Sequence, residues 1–444
     1  MNKKLIIALL TLLLSVCLSG CLTMSADELY ALPRQSEAYL DLQTAIDEVM
    51  PADGQYSSPI SGANQQPVQM SDLDGDGEDE ALVFVKTADT SPLKIYIFDR
   101  VEDQYRNIAV IEGDGSAFAR VEYAQMDGVG GQEIVVGRQI SGQVLQAVSV
   151  YRFTDGAPNE LMTASYSMFT LSDLDGDENR DLFLLRYGME EQPGTAALYR
   201  CTEAGMERAP ELQTAVTADT ICYFASCSLT ETARGILVSR VEGDALTTEI
   251  YTLQSGLFKR ISTADDLNLH SGVLHGYNVY PSDADLDGCT EIPDLVQISG
   301  EEGELLEDTE YAIRWYSVEP NNKTSLRTVT YHSYASGWYL QLPDAIGTDF
   351  HVSRLNATGN MRGISFYEGK GTDSVDRLLV TIYAFSGSDR TNLASMDGRF
   401  PVATKGDITY AALLGNAAAT RQITQEDIVG LFHFVHVDWN SGET

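Results

Sequence analysis

Basic residues are scarce in this sequence. The 444 residues include 29 Lys and Arg against 65 Asp and Glu, which gives a formal net charge of -36. Nucleic-acid phosphates and anionic lipid headgroups would repel such a chain, so the composition argues against nucleic-acid binding and against electrostatic docking on a membrane surface. Cations are the ligands that this charge favours.

Residues and motifs that commonly carry catalysis are also few. The chain has six His and six Cys. It contains no Gly-x-Ser-x-Gly, His-Glu-x-x-His, P-loop or dinucleotide-binding motif, and its cysteine spacings match no zinc or redox motif. These absences favour a protein that is not an enzyme.

The N-terminal apolar run at residues 5–14 is too short for a transmembrane helix, which needs about 20 residues. It follows Lys3 and Lys4 and is followed by Leu-Ser-Gly-Cys ending at Cys21, which resembles the bacterial lipobox. The resemblance implies a lipoprotein signal peptide over residues 1–20 and a lipidated Cys21 that anchors the protein to the outer side of a bacterial cell membrane. The alternative is an uncleaved anchor with an incidental cysteine.

A nine-residue acidic segment occurs three times. Each copy has carboxylates at positions 1, 3, 5 and 9, and a strand-like apolar run follows it directly. Acidic turns without a ligand are the alternative, because Asp and Gly are ordinary turn residues, but three copies in one frame favour a shared ligand. The copies are Asp72, Asp74, Asp76 and Glu80; Asp173, Asp175, Asp177 and Asp181; and Asp283, Asp285, Asp287 and Glu291.

Two degenerate copies, which begin at Gln125 and Ser226, complete a repeat of about 50 residues. They lack most of the carboxylates, so we predict that they bind no ion. Four strand-like runs in each repeat are typical of a four-stranded propeller blade. The sequence therefore predicts a mainly β protein with a five-bladed β-propeller over residues 56–334. Six or seven blades is the alternative, because residues 354–366 could form a further repeat.

The acidic segments suit a hard divalent cation such as Ca²⁺. Calcium takes six to eight oxygen ligands at about 2.3–2.6 Å, and a tight loop can direct alternate carboxylates to one point. The position-7 residues Glu78, Asn179 and Cys289 would each contribute a backbone carbonyl. Without an ion the clustered carboxylates would repel one another. We therefore predict one calcium site in each acidic segment.

These segments resemble the FG-GAP and VCBS-type repeats of bacterial surface proteins and of integrin α subunits. In that family the loop Asp-x-Asp-x-Asp-Gly-x-x-Asp binds calcium within a propeller blade. The first and third copies match the family glycine with Gly77 and Gly288, whereas the second has Glu178 there. The resemblance implies a fold and an ion, but no ligand.

The regions outside the repeats differ in pattern. Residues 21–55 are predicted to form a lipidated tether and an amphipathic helix that carries Tyr39, Leu42, Ile46 and Val49 on one face. Residues 335–444 are predicted to form a small α+β domain with a helix that begins at Thr424. The pairing of Cys201, Cys222, Cys227 and Cys289 stays open, and burial as small apolar residues is favoured.

Together these features predict a lipid-anchored, extracytoplasmic surface protein. Its calcium-stabilised propeller would be a non-catalytic binding or adhesion scaffold for a protein or glycan. The alternative is a surface glycosidase that uses the propeller channel, which needs two carboxylates about 5–10 Å apart. The clustered acids of this sequence are all assigned to the loops, so the sequence favours the scaffold.

Overall fold

Strands dominate the protein, and its helices are few and short. The computed structural model describes residues 37–140, 146–154, 156–189, 192–202, 205–274, 276–299, 309–343, 346, 349–369 and 374–435. The predicted signal peptide and Cys21 lie outside these residues. No helix within the described ranges is long and apolar enough to cross a membrane. The mainly β class predicted from the sequence is confirmed.

The chain divides into two compact units. Among the described residues, the first contains 37–58, 66–71 and 77–114, and the second contains 59–65, 72–76 and residues from 115 onward. The first unit has one helix and one antiparallel sheet, in which β1 and β2 both pair with β3 and the order continues through β4 to β5. These elements are α1 (Glu37–Val49), β1 (Gln55–Tyr56), β2 (Val68–Ser71), β3 (Glu80–Lys86), β4 (Leu93–Val101) and β5 (Gln104–Gly113).

Helix α1 lies where the sequence predicts an amphipathic helix. Its residues Ala45 and Ile46 are buried in one hydrophobic cluster with Val83 and Phe98 of the sheet. Tyr39, which the periodicity places on the same face, is 51% exposed, because it lies in the first turn of the helix, before the buried residues. Burial of the remaining face holds α1 on the first sheet.

In its described residues the second unit contains five antiparallel sheets, and neighbouring strands in most of them are consecutive in the chain. The first two of these sheets are β6 (Ala117–Ala124), β7 (Glu133–Gln139), β8 (Gln146–Thr154) and β9 (Ala157–Tyr166), and then β10 (Met168–Ser172), β11 (Asp181–Arg186), β12 (Gly194–Thr202), β13 (Gly205–Arg208) and β14 (Leu212–Thr214). The third is β15 (Ile221–Ser228), β16 (Arg234–Glu242), β17 (Ala245–Gln254), β18 (Leu257–Ser262), β19 (Ser271–Leu274) and β20 (Tyr277–Asn278).

The last two sheets include the C-terminal part of the chain. The fourth has the order β21-β22-β23-β24-β30 and the fifth the order β25-β26-β27-β29-β28. Their strands are β21 (Ile292–Ser299), β22 (Glu310–Val318), β23 (Thr324–Ser333), β24 (Trp338–Gln341), β25 (Phe350–Thr358), β26 (Met361–Glu368), β27 (Leu378–Phe385), β28 (Phe400–Lys405), β29 (Ile408–Leu414) and β30 (Phe432–Phe434). Short helices lie among them: α2 (Arg390–Ala394), α3 (Asn416–Thr420), α4 (Gln425–Leu431), and 3₁₀ turns at Tyr334–Ser336 and Val375–Arg377.

Each of the first four predicted repeats forms one separate sheet, and the fifth differs. The apolar run at 276–281 predicts the first strand of a fifth blade, but only β20 forms there, and it pairs with β19 in the preceding sheet. The reason is the length of β17, whose first two residues pair with β19 while its later residues pair with β18. No closed propeller is found among the described residues.

The core of the C-terminal region extends across residue 335. Val329 lies in the same buried cluster as Trp338, Phe366 and Phe432. The domain boundary predicted between residues 334 and 335 stays a prediction. Helix α4 begins after Thr424, whose side chain forms a reciprocal capping box with Asp427, at the position where the sequence predicts a helix start.

Candidate metal centre

Each acidic loop precedes a strand, and one hydrogen bond across the loop recurs in two of the three acidic loops. The carboxylate at position 9 stands at the start of that strand and accepts a hydrogen bond from the backbone N–H at position 2. The same bond forms in one degenerate loop and in two acidic loops. The donors and acceptors are Met126 N to Glu133 Oε2 at 2.9 Å, Leu174 N to Asp181 Oδ2 at 3.1 Å, and Ala284 N to Glu291 Oε2 at 2.9 Å.

The backbone of these loops is left-handed at positions 4 and 6. Glycine adopts a positive φ without steric cost, whereas other residues adopt it at a cost of about 1–2 kcal/mol. Glu178 stands where the FG-GAP and VCBS pattern has glycine. It adopts the same positive φ, 72°, and therefore carries this steric cost. The pairs are Gly75 (80°) and Gly77 (90°), Gly176 (80°) and Glu178 (72°), and Leu286 (63°) and Gly288 (87°).

The third loop brings three of its four carboxylates together. Oxygens of Asp283, Asp285 and Glu291 lie within 4.8 Å of one another. Glu291 is fully buried, and neither its Oε1 nor the buried Oδ1 of Asp285 accepts a hydrogen bond from the described residues. Unsatisfied buried carboxylate oxygens are costly, and a cation bound between them would remove that cost. The residues therefore fit a divalent cation.

The electrostatics of the third loop agree with this geometry. Burial, together with the neighbouring carboxylates Asp285, Asp287 and Asp283, raises the pKa of Glu291 to about 7. Both effects disfavour the charged form. A bound cation would reverse them, since an adjacent positive charge favours the ionised carboxylate.

The fourth carboxylate of the third loop turns toward an arginine. Asp287 Oδ2 accepts a hydrogen bond from Arg327 Nη2 at 2.5 Å, and its Oδ1 accepts one from the N–H of Cys289 at 2.8 Å. Arg327 Nε also donates to Oδ2 of Asp285 at 3.0 Å, which leaves Oδ1 of Asp285 directed elsewhere. The predicted roles of Asp287 and of the Cys289 carbonyl as ion ligands stay predictions.

The second loop brings together a different set of three. Oxygens of Asp173, Asp175 and Asp177 lie within 4.8 Å of one another, and Asp181 lies outside this group. Burial raises the pKa of Asp181 to about 7. The side-chain amide of Asn179 donates to Oδ2 of Asp177 at 3.1 Å. The ligand predicted for this residue is its backbone carbonyl, which stays a prediction.

The first loop is divided between the two units. Asp72, Asp74 and Asp76 belong to the second unit, whereas Glu78 and Glu80 belong to the first. Within the second unit, Oδ1 of Asp74 accepts a hydrogen bond from the N–H of Asp76 at 3.1 Å. The calcium site predicted for this loop stays a prediction.

Backbone hydrogen bonds join loops of neighbouring repeats. In each case the N–H at position 8 of one loop donates to a carbonyl of the preceding loop. These bonds place the loop at 125–133 beside Asp72 and beside the loop at 173–181, and the loop at 283–291 beside the loop at 226–234. The bonds are Gln132 N to Asp72 O at 2.9 Å, Arg180 N to Gln125 O at 2.9 Å and Thr290 N to Ser228 O at 2.7 Å.

The degenerate loop at residues 125–133 contains a feature that the sequence analysis missed. Nη2 of Arg152, on β8, lies 2.5 Å from Asp127 Oδ2 and 3.1 Å from Cys201 Sγ, and its Nε lies 3.2 Å from Glu133 Oε1. The ligand atoms of Asp127, Glu133 and Cys201 lie within 4.8 Å of one another. The pairing of Ile134 with Tyr151 sets Arg152 opposite Glu133, so an arginine at that register position was the available signal.

The four cysteines outside the N-terminal segment are free thiols. Burial raises the pKa of Cys201, Cys222 and Cys289 to about 11 and that of Cys227 to about 12. Thiols with such pKa values are protonated and poorly nucleophilic at neutral pH. The preference for simple burial agrees with this environment.

The C-terminal sheets enclose a separate cavity of about 290 Å³. Aromatic rings of Tyr334, Trp338 and Tyr383 line it, together with Arg354 and Arg362. No Asp or Glu is present among its described lining residues. The cavity therefore offers aromatic faces and positive charge, but no carboxylate pair.

The sequence matches no known protein family and no curated protein. Several solved structures show a partial resemblance, and two of them are rhamnogalacturonan lyases. One is the exotype rhamnogalacturonan lyase YesX, with a TM-score of 0.29 and 11% identity over 71% of this chain and 69% of the other. The second is the Bacillus licheniformis rhamnogalacturonan lyase PL11, with a TM-score of 0.28 and 12% identity over 72% of this chain and 71% of the other. Similarity at these scores carries no argument about fold or activity.

Proposed function

We propose that this chain is a calcium-binding repeat protein of the FG-GAP and VCBS type, with sheets that act as propeller-type blades. The observation that carries this proposal is the third loop, where buried oxygens of Asp285 and Glu291 accept no hydrogen bond from the described residues. All of the converging ligand atoms in this loop are carboxylate oxygens. Such hard ligands favour Ca²⁺ over softer metals.

The ion's role in this proposal is structural. It neutralises the clustered carboxylates and thereby fixes the connection between two strands of a blade. Extracellular calcium modules bind in the millimolar range, which suits a surface protein anchored by lipid at Cys21. The stabilised blades then act as a non-catalytic scaffold that presents surfaces to a protein or glycan partner.

Calcium titration of the full chain in detergent, by calorimetry and by thermal melting, tests this proposal. We expect about three bound ions and a higher melting temperature in calcium than in EDTA. Asp175→Asn and Asp285→Asn should each remove one ion and lower the melting temperature only in calcium. Asp219→Asn, at an exposed carboxylate that pairs with Thr217 outside the loops, is the isosteric control. An absence of binding at millimolar calcium would contradict the proposal.

A surface carbohydrate-active protein is the second candidate. The observation that favours it is the 290 Å³ cavity, because aromatic faces with a few polar groups are typical of small-molecule sites. The absence of a carboxylate among its described lining residues makes this cavity unsuited to a two-carboxylate glycosidase.

A polysaccharide panel tests the second candidate. The full chain is incubated with neutral and acidic glycans, and new reducing ends, unsaturated products and binding are measured separately. Turnover that Arg362→Ala abolishes would favour an enzyme, and binding without turnover would favour the scaffold. Arg362 is exposed, so its substitution should leave folding unchanged.

A further inference from the structure

The degenerate loop at residues 125–133 has the same architecture as the acidic loop at 283–291. Gly128 and Gly130 have positive φ values of 75° and 73°, at positions 4 and 6. Glu133 at position 9 accepts the same backbone hydrogen bond as Glu291. Asp127 at position 3 corresponds to Asp285. The two loops therefore hold their position-9 carboxylates in the same way.

The two loops differ in what faces the remaining carboxylate oxygens. Glu291 Oε1 accepts no hydrogen bond from the described residues, whereas Glu133 Oε1 accepts one from Arg152. The side chains of Asp127 and Glu133 are 3% and 1% exposed, so their charges need a partner inside the protein. The guanidinium supplies that partner and donates further to Cys201 Sγ and to the carbonyl of Thr202.

We propose that Arg152 is the resident cation of this loop, and that Asp127, Glu133 and Cys201 form a latent metal site that a soft divalent cation occupies once the guanidinium is removed. The guanidinium makes the loop independent of dissolved ions. The Cys201 sulfur sets the metal preference, because thiolate ligands select Zn²⁺ or Cd²⁺ over Ca²⁺. This inference goes beyond the proposed function and does not depend on calcium in the other loops.

Solvent has access to the site. A cavity of about 410 Å³ is lined by Asp127, Glu133 and Arg152, with Asp74 on its wall. Removal of the guanidinium would extend this cavity to Cys201, which Arg152 now contacts. A metal ion could enter there, and binding would release the thiol proton.

The test is cadmium titration of the full-length Arg152→Ala variant, monitored by calorimetry and by thiolate-to-cadmium absorption in the ultraviolet. We expect one more bound Cd²⁺ than in the wild type, with a gain in absorption that Arg152→Ala/Cys201→Ser loses. Arg208→Ala, which removes an arginine that pairs with Glu211 away from any acidic loop, should bind cadmium as the wild type does. No gain of a cadmium ion in folded Arg152→Ala would overturn the latent site.

A second comparison keeps the inference testable if Arg152→Ala fails to fold. In a chain that keeps Arg152, Asp127→Asn should lower the melting temperature equally in calcium and in EDTA. Asp285→Asn should lower it only in calcium. A calcium-dependent loss for Asp127→Asn would mean that an ion occupies the degenerate loop, and would overturn the proposal. If only Asp285→Asn deviates from its expectation, the calcium assignment fails and the role of Arg152 stands.

Discussion

Two loops with the same left-handed positions differ in what their buried carboxylates are bonded to. The loop at 125–133 uses Arg152, a cation that belongs to the chain, whereas the loop at 283–291 leaves oxygens of Asp285 and Glu291 without a hydrogen bond from the described residues. Under the proposed calcium assignment, the comparison teaches that these two loops share a place for positive charge. The chain supplies that charge in one loop, and a bound ion would supply it in the other.

The largest expected effect is the loss of the built-in cation. Arg152→Met leaves Asp127 and Glu133 buried without their partner, which should lower the free energy of unfolding by about 3–5 kcal/mol in EDTA. Urea denaturation measures the change. Arg208→Met should have little effect, because Arg208 and Glu211 are both partly exposed. Equal losses in the two variants would show that the loop does not depend on Arg152.

In the loop at 283–291, a substitution should lower stability only when calcium is present, in contrast to Arg152→Met. Glu291→Gln removes a buried charge, so in EDTA the free energy of unfolding should change by less than about 1 kcal/mol. At calcium concentrations 100-fold above Kd the wild type gains about 2.7 kcal/mol per site, and the variant should lose that gain. Melting curves in both media check this. A loss of similar size in EDTA would assign Glu291 a role without an ion.

Acid should destabilise the protein through a residue outside both loops. Burial lowers the pKa of His332 to about 3, whereas an unfolded histidine has a pKa of about 6.5. Between these pH values the folded state binds fewer protons than the unfolded state. The free energy of unfolding therefore has its full value above pH 6.5 and falls as the pH decreases. The loss should reach about 2 kcal/mol at pH 5. His332→Gln should flatten this part of the pH profile, and an unchanged slope would exclude His332 as its source.

The smallest effect is expected at the arginine of the third loop. Arg327 bonds Asp285 and Asp287 but its side chain is 40% exposed, so Arg327→Gln should cost less than about 1 kcal/mol in EDTA. Urea denaturation of Arg327→Gln and Arg152→Met side by side measures how much burial increases the stability that an arginine contributes, since the two arginines have similar partners. A cost as large as that of Arg152→Met would remove the distinction between the two loops.

The sequence predicted the repeat well because its signals are local. Carboxylates at fixed spacing before an apolar run placed Asp181 at the start of β11 and Asp283 in the loop before β21. Which three carboxylates converge in the third loop was not predictable, since Asp287 bonds Arg327, which lies 40 residues away along the chain. The same holds for Arg152, which reaches Glu133 only through the register of β7 and β8.

Longer-range arrangements were less predictable. The joining of β20 to the preceding sheet depends on the length of β17, and strand patterns alone do not reveal which of two neighbouring sheets a short strand joins. The antiparallel pairing of β24 with β23 depends on the sharp turn at Gly337, which has a φ of 68°. The sequence placed that segment after a domain boundary between residues 334 and 335, which stays a prediction.

The backbone hydrogen bonds between loops have a consequence for local opening. The loop at 173–181 is bonded to the loop at 125–133, and the loop at 283–291 is bonded to Ser228 of another loop without the acidic pattern. Under the proposed assignments, each of these ion-dependent loops therefore adjoins one that stays formed when calcium is removed. Chelation should then open isolated segments while their neighbours retain slow hydrogen exchange. The array would lose its ions as separate small events, and the sheets between them would remain folded.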